Sequence, residues 1–434
     1  MTRKYHIHTF GCQMNVHDSE KIAGIFSENG LISADHAENA DVIVLNTCSI
    51  REKAEQKFLS ELGRLKKAKD YNPGLKIAVA GCIAQQQGKS LFKRFPYVDF
   101  IVGPNNIDKL YRWIDNKSIG TALEDNPEYH KKNLPMQRAG GVRAWVSIMY
   151  GCENFCAYCV VPYTRGKERS RPAQDIYDEI SSLAKRGFKE VTLLGQNVNS
   201  YGRTLEEAVH FPDLLRKVHS IDGVERIRFV TSHPRDLSEE LILAMKELPK
   251  VCEHLHLPIQ SGSDHVLHLM NRGYTFKEYR RRVDGLRKMI PGISITTDII
   301  TGFPGETEED FRMTMQALTD IQYDGIFAFK YSKRPGTKAI EMPDHVPEQV
   351  KAERLAQVLQ LQEDVTYQKN SELVGQVLEI LVEGPSSSDP ERLTGRTGTN
   401  KIVHYCGERE DQDAFVNVRI VKAGLHSLFG EKLF

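Results

Sequence analysis

The chain has no excess of charge of either sign: 58 Lys and Arg stand against 58 Asp and Glu in 434 residues. Without a net field the protein is not drawn to nucleic acid as a whole, so any such contact must come from local basic patches. No apolar run approaches the length that spans a bilayer. The first residues, MTRKYHIHTFGC, lack the shape of a signal peptide. The expectation is a cytoplasmic protein of two or three domains with no membrane partner, acting as a monomer. There is no internal repeat at a fixed period and no low-complexity tract. Cysteine is sparse, with eight in the chain. In a reducing compartment those eight read as thiols or metal ligands rather than a disulfide framework.

What is present is an alternation of strand-like and helix-like segments. KYHIHTF, DVIVLNT, LKIAVAG and VDFIVG are short apolar runs suited to buried parallel strands. Asp18 is expected to cap the helix SEKIAGIFSEN, with Gly30 as its stop. REKAEQKFLSELGRLKKAK reads as a second helix. Residues 1–118 are therefore expected to form a doubly wound, flavodoxin-like α/β domain. Residues 119–141 are polar, carry Gly and Pro, and read as a linker. RAWVSIMYG, EVTLLGQ, RIRFVTS, EHLHLP, ISITTDIITG and GIFAFKYS then supply six strands alternating with helices. Six units are too few for a closed eight-stranded barrel, so residues 142–370 are expected to form a partial (βα)6 barrel. VPEQVKAERLAQVLQLQEDVTYQKN reads as a long helix. Residues 371–434 hold short β-like runs and are expected to form a small all-β domain.

Six of the eight cysteines fall into two triplets. Cys152, Cys156 and Cys159 form C-x3-C-x2-C at the end of the first barrel strand. Three thiolates suit three irons of a cubic [4Fe-4S] cluster and leave the fourth iron open. Cys12, Cys48 and Cys82 each follow a strand directly, in TFGC, LNTC and VAGC, about one βαβ unit apart. Each thiol then sits at the carboxyl end of a parallel strand, where α/β sheets bind ligands. Gly11 and Gly81, before two of them, allow close backbone approach. Zinc is the other metal option, although structural zinc takes four ligands. Cys252 and Cys406 read as ordinary thiols.

The C-x3-C-x2-C triplet resembles the radical S-adenosylmethionine (SAM) superfamily. Both triplets together, with TSHPRD, LPIQSGSD and DIITGFPGETEEDF, resemble the methylthiotransferases from one end of the chain to the other. Gln13-Met14-Asn15 after the first Cys and Ser49-Ile50-Arg51-Glu52 after the second resemble the MiaB branch, which makes 2-methylthio-N6-isopentenyladenosine in tRNA. The C-terminal domain resembles the TRAM module, which binds RNA. The resemblance implies two [4Fe-4S] clusters. Cys152, Cys156 and Cys159 would hold the SAM-binding one, and Cys12, Cys48 and Cys82 the auxiliary one. It implies that one SAM methylates a sulfur associated with the auxiliary cluster. A second SAM is cleaved to a radical that abstracts hydrogen from C2 of the adenine. A tRNA anticodon stem-loop, an electron donor and a sulfur source are the implied partners.

Further site residues are expected on the same basis. Gly195, Gln196 and Asn197 end the second barrel strand, where the family contacts the methionine part of SAM. Gln260, Ser261, Asp298 and Gly302 end or follow later strands and are assigned to the same cofactor. Ser261 and Ser263 also suit helix capping, and Thr307 suits a helix start. Arg165, Lys167, Arg169 and Arg171 form a basic run after the triplet and are expected to meet RNA phosphates. In the C-terminal domain Arg392, Arg396 and Lys401 are the scattered cations available for RNA. Val160, Val161 and Tyr163 are candidates for an apolar pocket. His254 and His256 are expected on opposite faces of their strand. Methylthiolation of threonylcarbamoyladenosine, or of a ribosomal-protein aspartate, is the neighbouring alternative. An iron–sulfur RNA-binding protein that never cleaves SAM is the alternative of another class.

Overall fold

The computed structural model describes residues 2–49, 52–114, 120–131, 134–138, 140–387 and 389–433. Ile50 and Arg51, part of the stretch that marks the MiaB branch, lie outside the described residues.

The N-terminal sheet contains β1 (Lys4–Thr9), β2 (Ile32–Ser33), β3 (Val42–Thr47), β4 (Lys76–Gly81), β5 (Phe100–Val102) and β6 (Gly120–Ala122). They run parallel in the order β2-β1-β3-β4-β5-β6. The first five strands follow the flavodoxin-like order. Val42, Val44, Ala78 and Ala80 pack toward one face with Ile22 and Phe26 of α1 (Gln13–Glu28). Ile43, Leu45, Ile77 and Val79 pack toward the other with Phe58 and Leu62 of α2 (Glu52–Tyr71). Both faces are covered, which is why these strands read as continuous apolar runs. The expected linker is partly sheet: β6 pairs with β5, so the first domain extends beyond residue 118.

Helix α1 differs from expectation. It starts at Gln13, with Cys12 as the capping residue, rather than after Asp18. Asp18 is a buried residue inside the helix. The short side chains of Asn15 and Cys12 close the first turn together (Asn15 Oδ1 to Cys12 N, 3.5 Å), so no Asp is needed there.

The second domain has the six expected strands: β7 (Arg143–Ser147), β10 (Glu190–Leu194), β11 (Arg226–Phe229), β12 (His254–His256), β13 (Ser294–Thr301) and β14 (Gly325–Lys330). They form two parallel three-stranded sheets, β7-β10-β11 and β12-β13-β14. A parallel bridge, Ile227 to Val251, joins the first sheet to the segment leading into the second. Ala144, Val146, Val191, Leu193, Ile227, Phe229, Ile295 and Ile299 face the outer helices in one large core. Alternate residues therefore face the lumen. His254 and His256 both lie on that lumen face, because they are two residues apart on one strand. Their rings share the Thr296 hydroxyl (3.2 and 3.0 Å). An antiparallel ribbon of β8 (Met149–Tyr150) and β9 (Arg169–Ser170) closes the intervening cysteine loop.

The C-terminal domain is a closed five-stranded barrel, ordered β15-β16-β17-β19-β18. These strands are β15 (Val377–Pro385), β16 (Leu393–Thr397), β17 (Ile402–Cys406), β18 (Phe415–Ala423) and β19 (Leu428–Lys432). It docks where the barrel strands begin. Arg226 donates to Arg396 O (2.6 Å) and pairs with Glu379 (2.9 Å). Arg228 donates to Thr397 O (2.6 Å) and Gly398 O (2.9 Å). Arg143 pairs with Glu383 (2.9 Å). Two of the cations expected to meet RNA join this contact region. Arg396 bonds Glu383 (3.0 Å) and Lys401 lies 3.6 Å from Asp324. Arg392 pairs with Asp389 (3.0 Å). Among the described residues no helix is long and apolar enough to cross a membrane.

Candidate cluster sites at the domain interface

The three N-terminal thiols are brought together by a hydrogen-bonded line across three strand ends. Asn15 Oδ1 accepts from the Cys12 thiol (3.3 Å), while Asn15 Nδ2 donates to Asn46 Oδ1 (3.1 Å) and Thr47 O (3.0 Å). Thr47 Oγ1 donates in turn to Ala80 O (2.8 Å). Cys12, Cys48 and Cys82 are close neighbours of these anchors in the chain. Gly11 and Gly81 make the approach possible, as their place before two of the thiols suggests. A Cβ on Gly11 would stand 2.2 Å from Cys48 Cβ, and one on Gly81 would stand 2.4 Å from Thr47 O. Both glycines also hold positive φ, +134° and +92°, which L side chains rarely adopt. The hydrogen bond with Cys48 draws the Cys12 thiol down to about 6, against burial and with help from Arg165. Burial pushes the Cys82 thiol up.

The second triplet lies in the loop between β8 and β9. The backbone amide of Cys159 donates to Cys156 O (2.9 Å), and that of Cys152 donates to Gly166 O (3.2 Å). Met270-Asn271-Arg272, after the helix Asp264–Leu269, straps this loop. Ala157 N donates to Met270 O (2.9 Å), and Asn271 Nδ2 donates to Asn154 O (3.2 Å) and Phe155 O (3.1 Å). Arg272 Nη1 lies 3.3 Å from Cys156 Sγ. Burial pushes Cys152 and Cys159 up to about 11 and about 12. As free thiols they are neutral, so metal loading must release their protons. Among the described residues no three Cys, His or acidic side chains meet as around a single ion. A four-iron cluster instead spreads its thiolates over separate irons.

The basic run divides. Arg165 is 3 % exposed and Arg171 is 8 % exposed, so neither reaches RNA. Arg165 pairs with Asp18 (2.9 Å), and Arg171 pairs with Glu179 (2.8 Å). Arg138 joins the same network, bonding Glu20 (2.8 Å) and Glu179 (2.7 Å). These bonds clamp α1 of the first domain onto the barrel. Arg169 makes a two-pronged bond to exposed Asp125 (2.9 and 2.7 Å). Lys167 is exposed. Beside them Phe155 and Tyr163 are exposed and meet edge-on, ring centroids 6.2 Å apart. Val160 and Val161 are buried.

The residues assigned to SAM also divide. Gly195 abuts Met149, just ahead of the cysteine loop, where a Cβ would stand 2.5 Å from Met149 Cγ. Gln196 Oε1 is buried with no hydrogen-bond partner, a state that a ligand donor relieves. Asn197 is occupied: its amide donates to Asp236 (2.7 Å) and accepts from His233 N (3.1 Å). Gln260 holds φ +75° and joins β13 by backbone bonds to Asp298 and Ile300. Asp298 faces the lumen, 3.5 Å from His256 Nε2. Ser261 turns away, bonding Thr314 (3.1 Å) with no exposure. Ser263 and Thr307 cap helices, as their sequence context suggests. Gly302 N donates to Glu306 (2.7 Å), and Lys351 fills the space beside it. Sequence reasoning missed Arg272 as a thiol partner and Asn46 as an anchor. Neither carries a local signal, since Arg272 looks like part of a helix end.

Known proteins are similar to this chain over nearly all of its length. Residues 4–103 match the model of Uncharacterized protein family UPF0004, residues 146–318 the Radical SAM superfamily, and residues 371–433 the TRAM domain. A tRNA-2-methylthio-N(6)-dimethylallyladenosine synthase of Thermodesulfovibrio yellowstonii is 53% identical over 99% of this chain and 98% of that protein. One of the same name from Caldicellulosiruptor saccharolyticus is 49% identical over 99% and 92%. Among solved structures, the radical S-adenosylmethionine methyltransferase TsrM of Kitasatospora setae, with cobalamin and a [4Fe-4S] cluster bound, matches with a TM-score of 0.59. The match has 15% identity and covers 78% of this chain and 77% of that one, a likeness of fold.

Proposed function

Since the chain belongs to the family of tRNA-2-methylthio-N6-dimethylallyladenosine synthases, we infer that it methylthiolates C2 of N6-isopentenyladenosine at position 37 of tRNA, beside the anticodon. It is a radical SAM methylthiotransferase with a TRAM domain. The observation that carries the reading is the pair of thiol triplets at one domain interface, with Arg165 running from the loop of one into the other.

The donor sets fit the groups the family uses. Cys152, Cys156 and Cys159 would hold the SAM-binding [4Fe-4S] cluster, with Gly195, Gln196, Gln260 and Asp298 around the cofactor. Cys12, Cys48 and Cys82 would hold a second [4Fe-4S] cluster. When bound, these groups supply the radical and sulfur chemistry that an unactivated C–H bond requires. The chain's own work is positioning. Asn15 and Asn46 hold the first triplet in register, Met270–Arg272 strap the second, and the pairs Arg165–Asp18 and Arg138–Glu20, the latter continued by Glu179 to Arg171, keep the two domains from shifting. An adenine splayed from a single-stranded loop needs an aromatic face and nearby cations. Phe155 and Tyr163 offer the face, and Lys167 and Arg169 the cations, all in or beside the cysteine loop. The TRAM barrel sits at the opposite end of the strands, so any RNA it holds lies away from the adenine. An electron donor, a sulfur source and a cytoplasmic location complete the proposal.

The test is mass spectrometry of tRNA nucleosides from a deletion strain, complemented with wild type or with Cys156→Ala. The expected result is accumulation of the isopentenyl form in the deletion and the variant, and return of the methylthio form with wild type. Unchanged methylthio nucleoside in the deletion sinks the proposal. Release of 5′-deoxyadenosine on reduction with dithionite and SAM excludes a binding protein that never cleaves SAM.

A further inference from the structure

Arg165 and Arg272 are both nearly inaccessible, at 3 % and 4 % exposure. Each touches one thiol triplet. Arg272 Nη1 lies 3.3 Å from Cys156 Sγ, and its other bonds go to neutral oxygens: Tyr274 Oη (3.0 Å), Tyr158 Oη (3.2 Å) and Pro258 O (2.8 Å). Arg165 leaves the cysteine loop, where its carbonyl accepts from Asn105 (3.2 Å) and the next carbonyl accepts from Cys152 N (3.2 Å). Its guanidinium crosses into the first domain, against Cys82 and Cys12, and bonds Asp18 (2.9 Å). Side chains buried to this depth cannot reach an RNA phosphate, so RNA binding does not explain them.

A guanidinium is always charged, and burying it is costly unless an anion faces it. Among the groups that these two guanidiniums touch are Asp18, for Arg165, and the triplet sulfurs, which become anions when they ligate iron. We propose that the two arginines are dedicated counter-charges, one for each cluster, and that each sets the reduction potential of the cluster it touches, with Asp18 attenuating Arg165. The proposal rests on both triplets holding clusters. Reduction adds a negative charge to a cluster, so a fixed cation beside a ligand sulfur favours the reduced form and raises the potential. An adjacent carboxylate does the reverse. Arg272, whose bonds go to a thiol and neutral oxygens, acts at full strength, and Arg165 acts at part strength.

The experiment uses the full-length protein, reconstituted anaerobically with iron and sulfide and titrated with dithionite under electron paramagnetic resonance. Forms lacking one triplet (three Cys→Ala changes) assign the two signals. Arg272→Gln is expected to lower the midpoint of the SAM-binding cluster and leave the auxiliary signal in place. Arg165→Gln is expected to lower the auxiliary midpoint by a smaller shift. Asp18→Asn is expected to raise it, and Lys at either arginine to keep most of the wild-type value. Iron-replete variants whose midpoints do not move, or a shift in the wrong cluster, overturn the proposal. If Arg165→Gln fails to hold iron, Asp18→Asn decides, and a downward shift there overturns it. Wild-type protein that binds no iron at either triplet refutes the cluster reading itself.

Discussion

Gly81→Ala tests the geometry of the auxiliary site most directly. Gly81 precedes Cys82 at the end of β4, with φ +92° and ψ −159°, a region that is essentially glycine-only and costs about 1–3 kcal/mol for another residue. The added Cβ would stand 2.4 Å from Thr47 O and 2.9 Å from Thr47 N. Those atoms are β3 backbone, held by the sheet, so they cannot rotate away; overpacking of this kind costs about 1–3 kcal/mol more. The expected loss is therefore about 2–6 kcal/mol. Because Thr47 adjoins Cys48, relief of the clash separates Cys48 from Cys82. Iron content should fall from about eight to about four per chain, while 5′-deoxyadenosine release persists. Gly63→Ala is the control. Gly63 lies in α2 with nothing within 4 Å of its added Cβ, so the same change should stabilise by about 1 kcal/mol. The assays are urea unfolding of the apo-protein and iron analysis of the reconstituted one. Equal urea midpoints for the two variants, with full iron in Gly81→Ala, would refute the reasoning.

Other expectations concern the interfaces. Burial works to raise the Glu179 carboxyl, but Arg171 and Arg138 overrule it and hold the group below its ordinary 4.5. A depressed folded value means its stabilisation is complete above the unfolded value and is lost as pH falls through the folded one. The wild-type urea midpoint should thus decline below about pH 4.5 more steeply than that of Glu179→Gln; parallel profiles would show that the clamp does not titrate. Arg228→Leu leaves Glu190, its buried partner at 3.0 Å, unpaired and should cost about 3–5 kcal/mol, read as a lower thermal midpoint. Tyr163→Ala and Phe155→Ala should each weaken binding of an anticodon stem-loop by about 1–3 kcal/mol in a filter or anisotropy assay, with iron content unchanged. Lys167→Ala should lower the salt slope of that binding by roughly one charge.

The strands and both cysteine triplets are legible in the sequence because their signals are local. Apolar runs of strand length, each ended by Gly-Cys or Thr-Cys, place a thiol at a carboxyl edge whatever the rest of the chain does. The start of α1 is misleading for the same local reason: Asp18 has the chemistry of a cap, but Cys12 and Asn15 close the turn earlier and Asp18 is left to meet Arg165. The placement of His254 and His256 on opposite faces fails on the strand's own period, since a two-residue spacing returns to the same face.

The chain alone thus determined which six thiols stand in triplets at strand ends and which family the chain resembles, because those signals are local in the sequence. Only the tertiary structure decided what the basic residues do. A run of Arg and Lys reads alike whether its side chains meet solvent, RNA or a buried carboxylate. Burial is set by which element lies opposite, and here α1 lies opposite Arg165 and the barrel lies opposite Arg171. Desolvation makes an unpaired charge untenable there, so two cations expected on the RNA surface are instead fixed inside the protein, one of them against the thiols.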